Sequence, residues 1–265
     1  MTTTTYMPAT LAGRSKAGSR VHFLNMPFDT FDQSAVLKTL NAARPGDPYR
    51  YIVTPNVDHV IRAAREPALL ASYEAAYLSV CDSTPIVKLA RILRMDLPLV
   101  TGSDMTVRLF QSVLRSGDQV TLIAASDDLV TGLEHAFPNV RFRSLVPPAG
   151  VARDPSLVDR CAEFVAATQP RFTLLAIGSP ASEMIAHRLG RDNRATGTAL
   201  CIGAGIEFLL QKKKRAPMWM RRTGLEWLHR LASEPRRLWR RYVYAVIPLA
   251  RLFADELATR TRSHG

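Results

Sequence analysis

A mostly parallel α/β sheet with helices on both faces is what this 265-residue sequence predicts for residues 21–210. Short β-branched or apolar runs alternate there with segments of helical period. The runs QVTLIA (Gln119–Ala124) and FTLLAI (Phe172–Ile177) are almost wholly apolar, as strands covered on both faces are. Each apolar run ends in a short polar or glycine-bearing turn before the next helix, the βα pattern of parallel sheets. Such sheets take ligands in the crevice beyond the strands' carboxyl ends.

Residues 1–20, rich in Thr, Ala and Gly, read as a flexible arm. VHFLNMPFD (Val21–Asp29) reads as a strand, and Ser34–Ala43 as a helix capped by Ser34. Tyr51–Thr54 is a β-branched strand, turned by Pro55–Asn56 into a helix. Tyr77–Asp82 and Ile86–Leu93 form the next strand and helix, and Met105–Leu114 a further helix. Gln119–Ala124 and Val140–Leu145 are strands flanking a helix at Leu129–Ala136. Ser156–Ala167 is helical, Phe172–Ile177 a strand, Ala181–Leu189 a helix and Ala199–Ile202 the last strand. Beyond it, Leu225, Leu228 and Leu231, then Leu238, Tyr242, Val246, Leu249 and Phe253, mark two amphipathic helices broken at Glu234–Pro235.

The net charge of +12 is unevenly placed. Residues 1–210 carry 21 basic and 19 acidic side chains, and residues 211–265 carry 14 and 4. The chain therefore divides into an arm, a near-neutral α/β body and a basic helical appendage over 211–265, and a basic block attracts phosphates or anionic lipid. Cys81, Cys161 and Cys201 are far apart with no CxxC spacing, which argues against structural zinc and for a reducing, cytoplasmic compartment. No apolar run at the N-terminus suits a signal peptide, and Val243–Ala250 is too short to span a bilayer.

Five turns could carry chemistry. In TPNVDH, Asn56, Asp58 and His59 lie in or near the crevice and, with Thr54, suit hydrogen bonding to a sugar or nucleotide; a Pro-Asn turn with Asp58 at the helix start is the simpler explanation. In CDSTP, Asp82 is a carboxylate at a buried strand's end, suited to a general base or to capping the next helix. In VTGSDM, Gly102, Ser103 and Asp104 could offer backbone N–H groups to an anion, or form a plain cap; the P-loop spacing is absent. In IGSPASE, Gly178 permits close backbone approach and Pro180 can start a helix. Glu183 could bond a ligand hydroxyl or simply favour that helix start. From Gly203 to Tyr242, three tryptophans lie among eleven basic residues, a mixture suited to a membrane surface, a nucleotide diphosphate or nucleic acid.

Taken in order, these blocks resemble the WecG/TagA/CpsF family of bacterial glycosyltransferases, GumM-type enzymes included. RAPMWMRRTGLEWLHRLASEPRRLWRRY is the most idiosyncratic match, and the resemblance runs from about Tyr51 to Phe253. It implies a Rossmann-like sheet with an appended basic helical region, and an inverting transferase on the inner face of the cell membrane. It implies a nucleotide-sugar donor, UDP-linked, and a polyprenyl-diphosphate-linked saccharide acceptor in surface or exopolysaccharide synthesis. UDP-glucose, UDP-N-acetylmannosamine and its uronic acid all stay open as donors, and so does homo-oligomerisation. The family's base falls on Asp82, and its Thr and Asn on Thr54 and Asn56. Two positions depart: Leu99 stands where the family often has Arg, and Ser182 where it often has Gln.

Neither a metal nor another cofactor is expected, since there is no DxD pair and no His/Cys cluster at ligand spacing. Positive charge for a departing diphosphate then falls to arginine, with Arg215, Arg221 and Arg222 the nearest candidates after the sheet. Two other classes compete. A non-catalytic membrane-surface adaptor would need the basic appendage but not Asp82. A nucleic-acid-binding protein would carry groove-reading or stacking motifs, and none is recognisable.

Overall fold

A computed structural model describes residues 18–212, 217, 220, 232 and 235–263; the side chains at 235–238, 240–242 and 263 lie outside that description. The chain opens on an antiparallel hairpin, β1 (Arg20–Phe23) and β2 (Met26–Asp29). The run Val21–Asp29 is thus two strands and not one. Leu24 and Asn25 turn it, both at positive φ near 55°, the two-residue hairpin geometry that asparagine tolerates. Leu24 is held there by its fully buried side chain and by its N–H, which donates to Glu256. Arg20 anchors the hairpin to the body: it pairs with buried Asp29 and donates to the carbonyls of Glu74 and Ala76.

Helix α1 (Gln33–Ala42) follows, capped by Asp32 rather than Ser34, because the Asp32 carboxylate takes the Ala35 N–H at 2.7 Å. Then come β3 (Arg50–Val53), α2 (Val57–Ala63), α3 (Pro67–Glu74), β4 (Leu78–Ser79), α4 (Thr84–Ile92) and α5 (Gly102–Arg108). Helix α3 was not expected; its small, weakly periodic residues hide it, and Pro67 starts it. Helix α5 begins three residues before Met105 because Thr101 caps it, and it runs on through one wide π turn, Leu109–Val113. The chain continues through β5 (Gln119–Ala124), α6 (Asp127–Ala136), β6 (Arg141–Leu145), α7 (Pro155–Thr168), β7 (Phe172–Ala176), α8 (Ala181–Leu189), β8 (Thr198–Cys201) and α9 (Gly205–Leu209).

Strands β3 to β8 form one six-stranded sheet in the order β4-β3-β8-β7-β5-β6, parallel at every pairing. One face is covered by α2, α3, α4, α7 and α8, and the other by α1, α5, α6 and α9. The expected α/β sheet with helices on both faces is therefore the observed one. At its amino edge, buried Arg171 ion-pairs with Asp118 and donates to the carbonyls of Ala43 and Val113.

Helix α10 (Pro235–Ser263) is the second of the two expected appendage helices; the first lies outside the described residues. Leu249, Leu252 and Phe253 pack on the body, Phe253 edge-on to Phe23. Val246, read as part of that apolar face, is exposed instead. It joins Val243, Tyr244 and Ile247 in an outward apolar group, because the buried stripe runs through Ala245, Leu249 and Leu252 at helical spacing. No helix among the described residues is long and apolar enough to cross a membrane.

Candidate active site

The carboxyl edge of the sheet brings together three of the expected turns. Thr54, at the end of β3, is buried and donates its hydroxyl to the Cys201 carbonyl of β8 at 3.2 Å. Asp82, past β4, accepts the Gly102 N–H on Oδ2 at 3.0 Å. A Cβ on Gly102 would lie 3.1 Å from Thr54 Oγ1, 3.5 Å from the Ile202 carbonyl and 3.6 Å from Asp82 Oδ2. Glycine at 102 thus lets the start of α5 close against both Thr54 and Asp82.

Capping of α4 falls to Ser83, whose hydroxyl accepts the Ile86 N–H. Asp82 does not cap that helix; it holds the N-terminus of α5 instead. The N–H groups expected to meet an external anion are partly used inside the chain. Gly102 donates to Asp82, and Asp104 donates to Thr101 Oγ1 while its carboxylate accepts the Thr101 hydroxyl at 2.8 Å. The Ser103 hydroxyl lies 3.2 Å from Thr101 Oγ1. Asn56 takes its simpler role: its side-chain oxygen caps α2, accepting from the N–H of Asp58 and His59.

Beside this group lies a crevice of about 210 Å³ beyond β5, β7 and β8, lined by Ala125, Ile177, Gly178, Gly203, Ala204 and Glu207 among others. Helices α6 and α8, which leave β5 and β7, go to opposite faces of the sheet. The crevice is thus a topological switch point, where α/β sheets take their ligands. Gly178, at φ +82°, has open space where a side chain would stand, so backbone forms that wall. Pro180 sits at the cap position of α8. The edge of the crevice also meets the start of the basic appendage, where Lys212 pairs with Asp128 at the start of α6.

Glu183 is turned inward, 2% exposed. Burial pushes its carboxyl up to about 7, against smaller lowering effects from hydrogen bonding and from Arg62. His59 moves the other way: burial, then the Arg62 charge, holds it down at about 4. The two have opposite consequences for stability. Glu183 contributes stability that is fully present below pH 4.5 and lost as pH rises to about 7; His59 contributes stability that is present above pH 6.5 and lost as pH falls to about 4. In the overlap the slopes cancel. Glu183→Gln removes one of them, so thermal melts should show the variant gaining on the wild type as pH rises from 4.5 to 7. A constant difference across that range contradicts the assignment.

Arg215, Arg221 and Arg222 lie outside the described residues, as do Trp219 and Trp227. The two departures are placed. Leu99 is 42% exposed and pairs alongside Cys81, one residue from Asp82. Ser182 is buried, its hydroxyl given to the Leu175 carbonyl. Sequence reasoning missed Thr101 as the organiser of α5, though a Thr three residues before an Asp is a readable capping signal. It also missed Tyr73 and Ser179 as interior neighbours of Glu183, the Tyr73 ring as the neighbour of His59, and Glu207 in the crevice wall; no local spacing announces these.

An α/β enzyme fold, with a carboxylate held at the sheet's carboxyl edge beside a switch-point crevice, is the class these features define. The chain belongs to the glycosyl transferase WecG/TagA/CpsF family, whose model matches residues 21–263, and it is a glycosyltransferase. Two relatives carry the name N-acetylglucosaminyldiphosphoundecaprenol N-acetyl-beta-D-mannosaminyltransferase. That of Staphylococcus aureus (strain MW2) is 23% identical over 84% of this chain and 88% of its own length. That of Bacillus subtilis (strain 168) is 26% identical over 60% of this chain and 62% of its own.

Proposed function

We propose that this glycosyltransferase moves a sugar from a UDP-linked donor to a polyprenyl-diphosphate-linked saccharide, with inversion, in surface or exopolysaccharide synthesis. The observation that carries the reading is Asp82, oriented by the Gly102 N–H beside Thr54 at the carboxyl edge of the sheet. The relatives' printed acceptor, an N-acetylglucosaminyl diphosphoundecaprenol, supports the same acceptor class here.

In this mechanism the nucleotide lies in the crevice, and the acceptor hydroxyl approaches from the side of Asp82. Asp82 takes the hydroxyl proton as that oxygen forms its bond to the anomeric carbon. The bond from that carbon to the diphosphate breaks on the opposite face, and UDP leaves with the electron pair. Arg215, Arg221 and Arg222 stabilise the charge that develops on it. Thr54, Asp58, Ser103 and Asp104 border the sugar, and Gly178 and Pro180 border the nucleotide; Asn56 acts through α2, which it caps.

The chain works on the inner face of the membrane. The outward apolar group Val243, Tyr244, Val246 and Ile247 on α10 supports this, in a region with 14 basic residues against 4 acidic. The test is a donor screen, with UDP-glucose, UDP-N-acetylmannosamine and its uronic acid, against a short-chain lipid-diphosphate N-acetylglucosamine. Product is read by mass spectrometry; no glycosylated acceptor from any donor refutes the reading.

The appendage has two separable duties. Charge reversal at Arg236, Arg237, Arg240 and Arg241 should weaken binding to anionic vesicles, at about 1 kcal/mol per basic residue near the surface, and spare turnover on a detergent-soluble acceptor. Arg221→Ala should bind vesicles normally and turn over poorly on both acceptors. Equal failure of both variants in both assays would show that the region acts as one unit. Transfer should also persist in a chelator, since arginine supplies the charge; activity restored only by magnesium or manganese would overturn this.

A further inference from the structure

Eight buried side-chain polar atoms lack a hydrogen-bond partner among the described residues, and four of them gather in one place: His59 Nδ1, Tyr73 OH, Ser179 Oγ and Glu183 Oε2. They come from α2, α3, the β7–α8 turn and the first turn of α8. Native interiors seldom leave such a group unexplained. The His59 and Tyr73 rings lie 6.2 Å apart. The Ser179 hydroxyl acts on both Tyr73 and Glu183, so it stands between them. Arg62, one helical turn after His59, donates to the Ser179 carbonyl at 3.3 Å. The Gly178 carbonyl accepts the Ser182 N–H at 3.0 Å, and Gly178 itself lines the crevice.

We propose that Glu183, Ser179, Tyr73 and His59 form one buried hydrogen-bond relay whose direction is set by a single proton on Glu183, and that this relay positions the Gly178–Pro180 turn where the nucleotide binds. The second half rests on the function proposed above; the first does not.

The donor count explains the two directions. With its proton, Glu183 donates to Ser179 Oγ, Ser179 donates to Tyr73, and the Tyr73 O–H ends on His59 Nδ1, which accepts. Without it, Glu183 only accepts. Ser179 then donates to Glu183 and Tyr73 donates to Ser179. His59 takes a hydrogen on Nδ1 to donate to Tyr73 and gives the Nε2 proton to solvent. His59 is neutral throughout, so only its tautomer changes. The groups facing Glu183 are Tyr73 from α3, Arg62 from α2, Ser179 from the turn and Cys201 from β8. Arg62 is the cation among them, and its contact to the Ser179 carbonyl couples a new charge on Glu183 to the turn.

The test follows the His59 ring nitrogens by NMR in the full-length protein labelled with ¹⁵N-histidine, His59→Gln assigning the signal. Spectra are taken at roughly pH 6 and roughly pH 8.5, either side of the Glu183 value. The wild type should pass from the Nε2–H to the Nδ1–H tautomer. Glu183→Gln, whose amide donates to Ser179 at either pH, should stay Nε2–H. Tyr73→Phe and Ser179→Ala cut the relay without touching the acid, so in them His59 should stop responding; they also serve if Glu183→Gln fails to fold. An unchanged tautomer in the wild type, or the same switch in Glu183→Gln, overturns the relay.

UDP affinity, measured on the same samples by calorimetry, tests the turn. The wild type should lose about fivefold more affinity across that range than Glu183→Gln; the nucleotide's own ionisation is common to both. Parallel losses overturn the control of the turn. UDP that binds neither protein refutes the nucleotide reading, and the ring signal still decides the relay.

Discussion

Asp82→Asn should reduce transfer by about 10²–10⁴-fold, the range for loss of a general base, and leave the melting temperature nearly unchanged. The structure separates the two readouts. Ser83, not Asp82, caps α4, so the substitution removes no cap. The Gly102 N–H that now meets Asp82 Oδ2 at 3.0 Å would meet the Asn carbonyl oxygen in the same place. What disappears is the capacity to accept a proton from the acceptor. Rates on a short-chain acceptor, set beside a thermal melt, check both halves. Near-wild-type turnover would reduce Asp82 to an anchor for α5, and a large drop in melting temperature would make its role structural.

Gly197→Ala should be the most damaging glycine-to-alanine change among the described residues. Its φ is +79°, and a Cβ there would sit 2.1 Å from the Pro170 carbonyl oxygen and 2.7 Å from that of Arg171. Those oxygens belong to the backbone that leads into β7 and cannot swing aside. Gly197 also links two strands' approaches, donating its N–H to Asp47 and accepting from Arg50. Left-handed strain and overpacking together cost about 4 kcal/mol, a large share of the roughly 5–15 kcal/mol that holds a domain folded. The urea midpoint should fall accordingly, or the protein should fail to accumulate. A midpoint within error of the wild type would mean the β7–β8 junction is far more pliant than its contacts imply. Gly117, also at positive φ but with nothing near its Cβ position, is the control and should lose much less.

Much of the architecture was legible because buried parallel strands are written as apolar runs. Gln119–Ala124 and Ala181–Leu189 have the very bounds read from their patterns. Legibility failed where a fold-back needs no glycine or proline, as at Leu24–Asn25, and where helical residues are small and evenly apolar, as in α3. In the candidate site, the turns that hold Thr54, Asp82 and Gly102 could be found because they follow strands. Their mutual contacts could not, since sequence does not state that β8 lies beside β3. Glu183 shows the same gap. It was visible as an acidic residue at a helix start, but the Tyr73 and Arg62 that face it arrive from helices more than a hundred positions earlier.

The strand order has a consequence for how the chain is made. β8, the last of the described strands to leave the ribosome, belongs in the middle of the sheet, between β3 and β7. Until it emerges, β4-β3 and β7-β5-β6 are two separate ribbons, each with an unpaired inner edge of the kind that recruits other chains. The Thr54 hydroxyl waits across a separation of 147 residues for the Cys201 carbonyl it will meet. Pairing over such separations is slow, so the two ribbons stay exposed until β8 emerges and pairs with both. A chain stopped short of Thr198 has already produced Asp82 and Thr54, yet the strand that joins the two ribbons into one sheet does not exist.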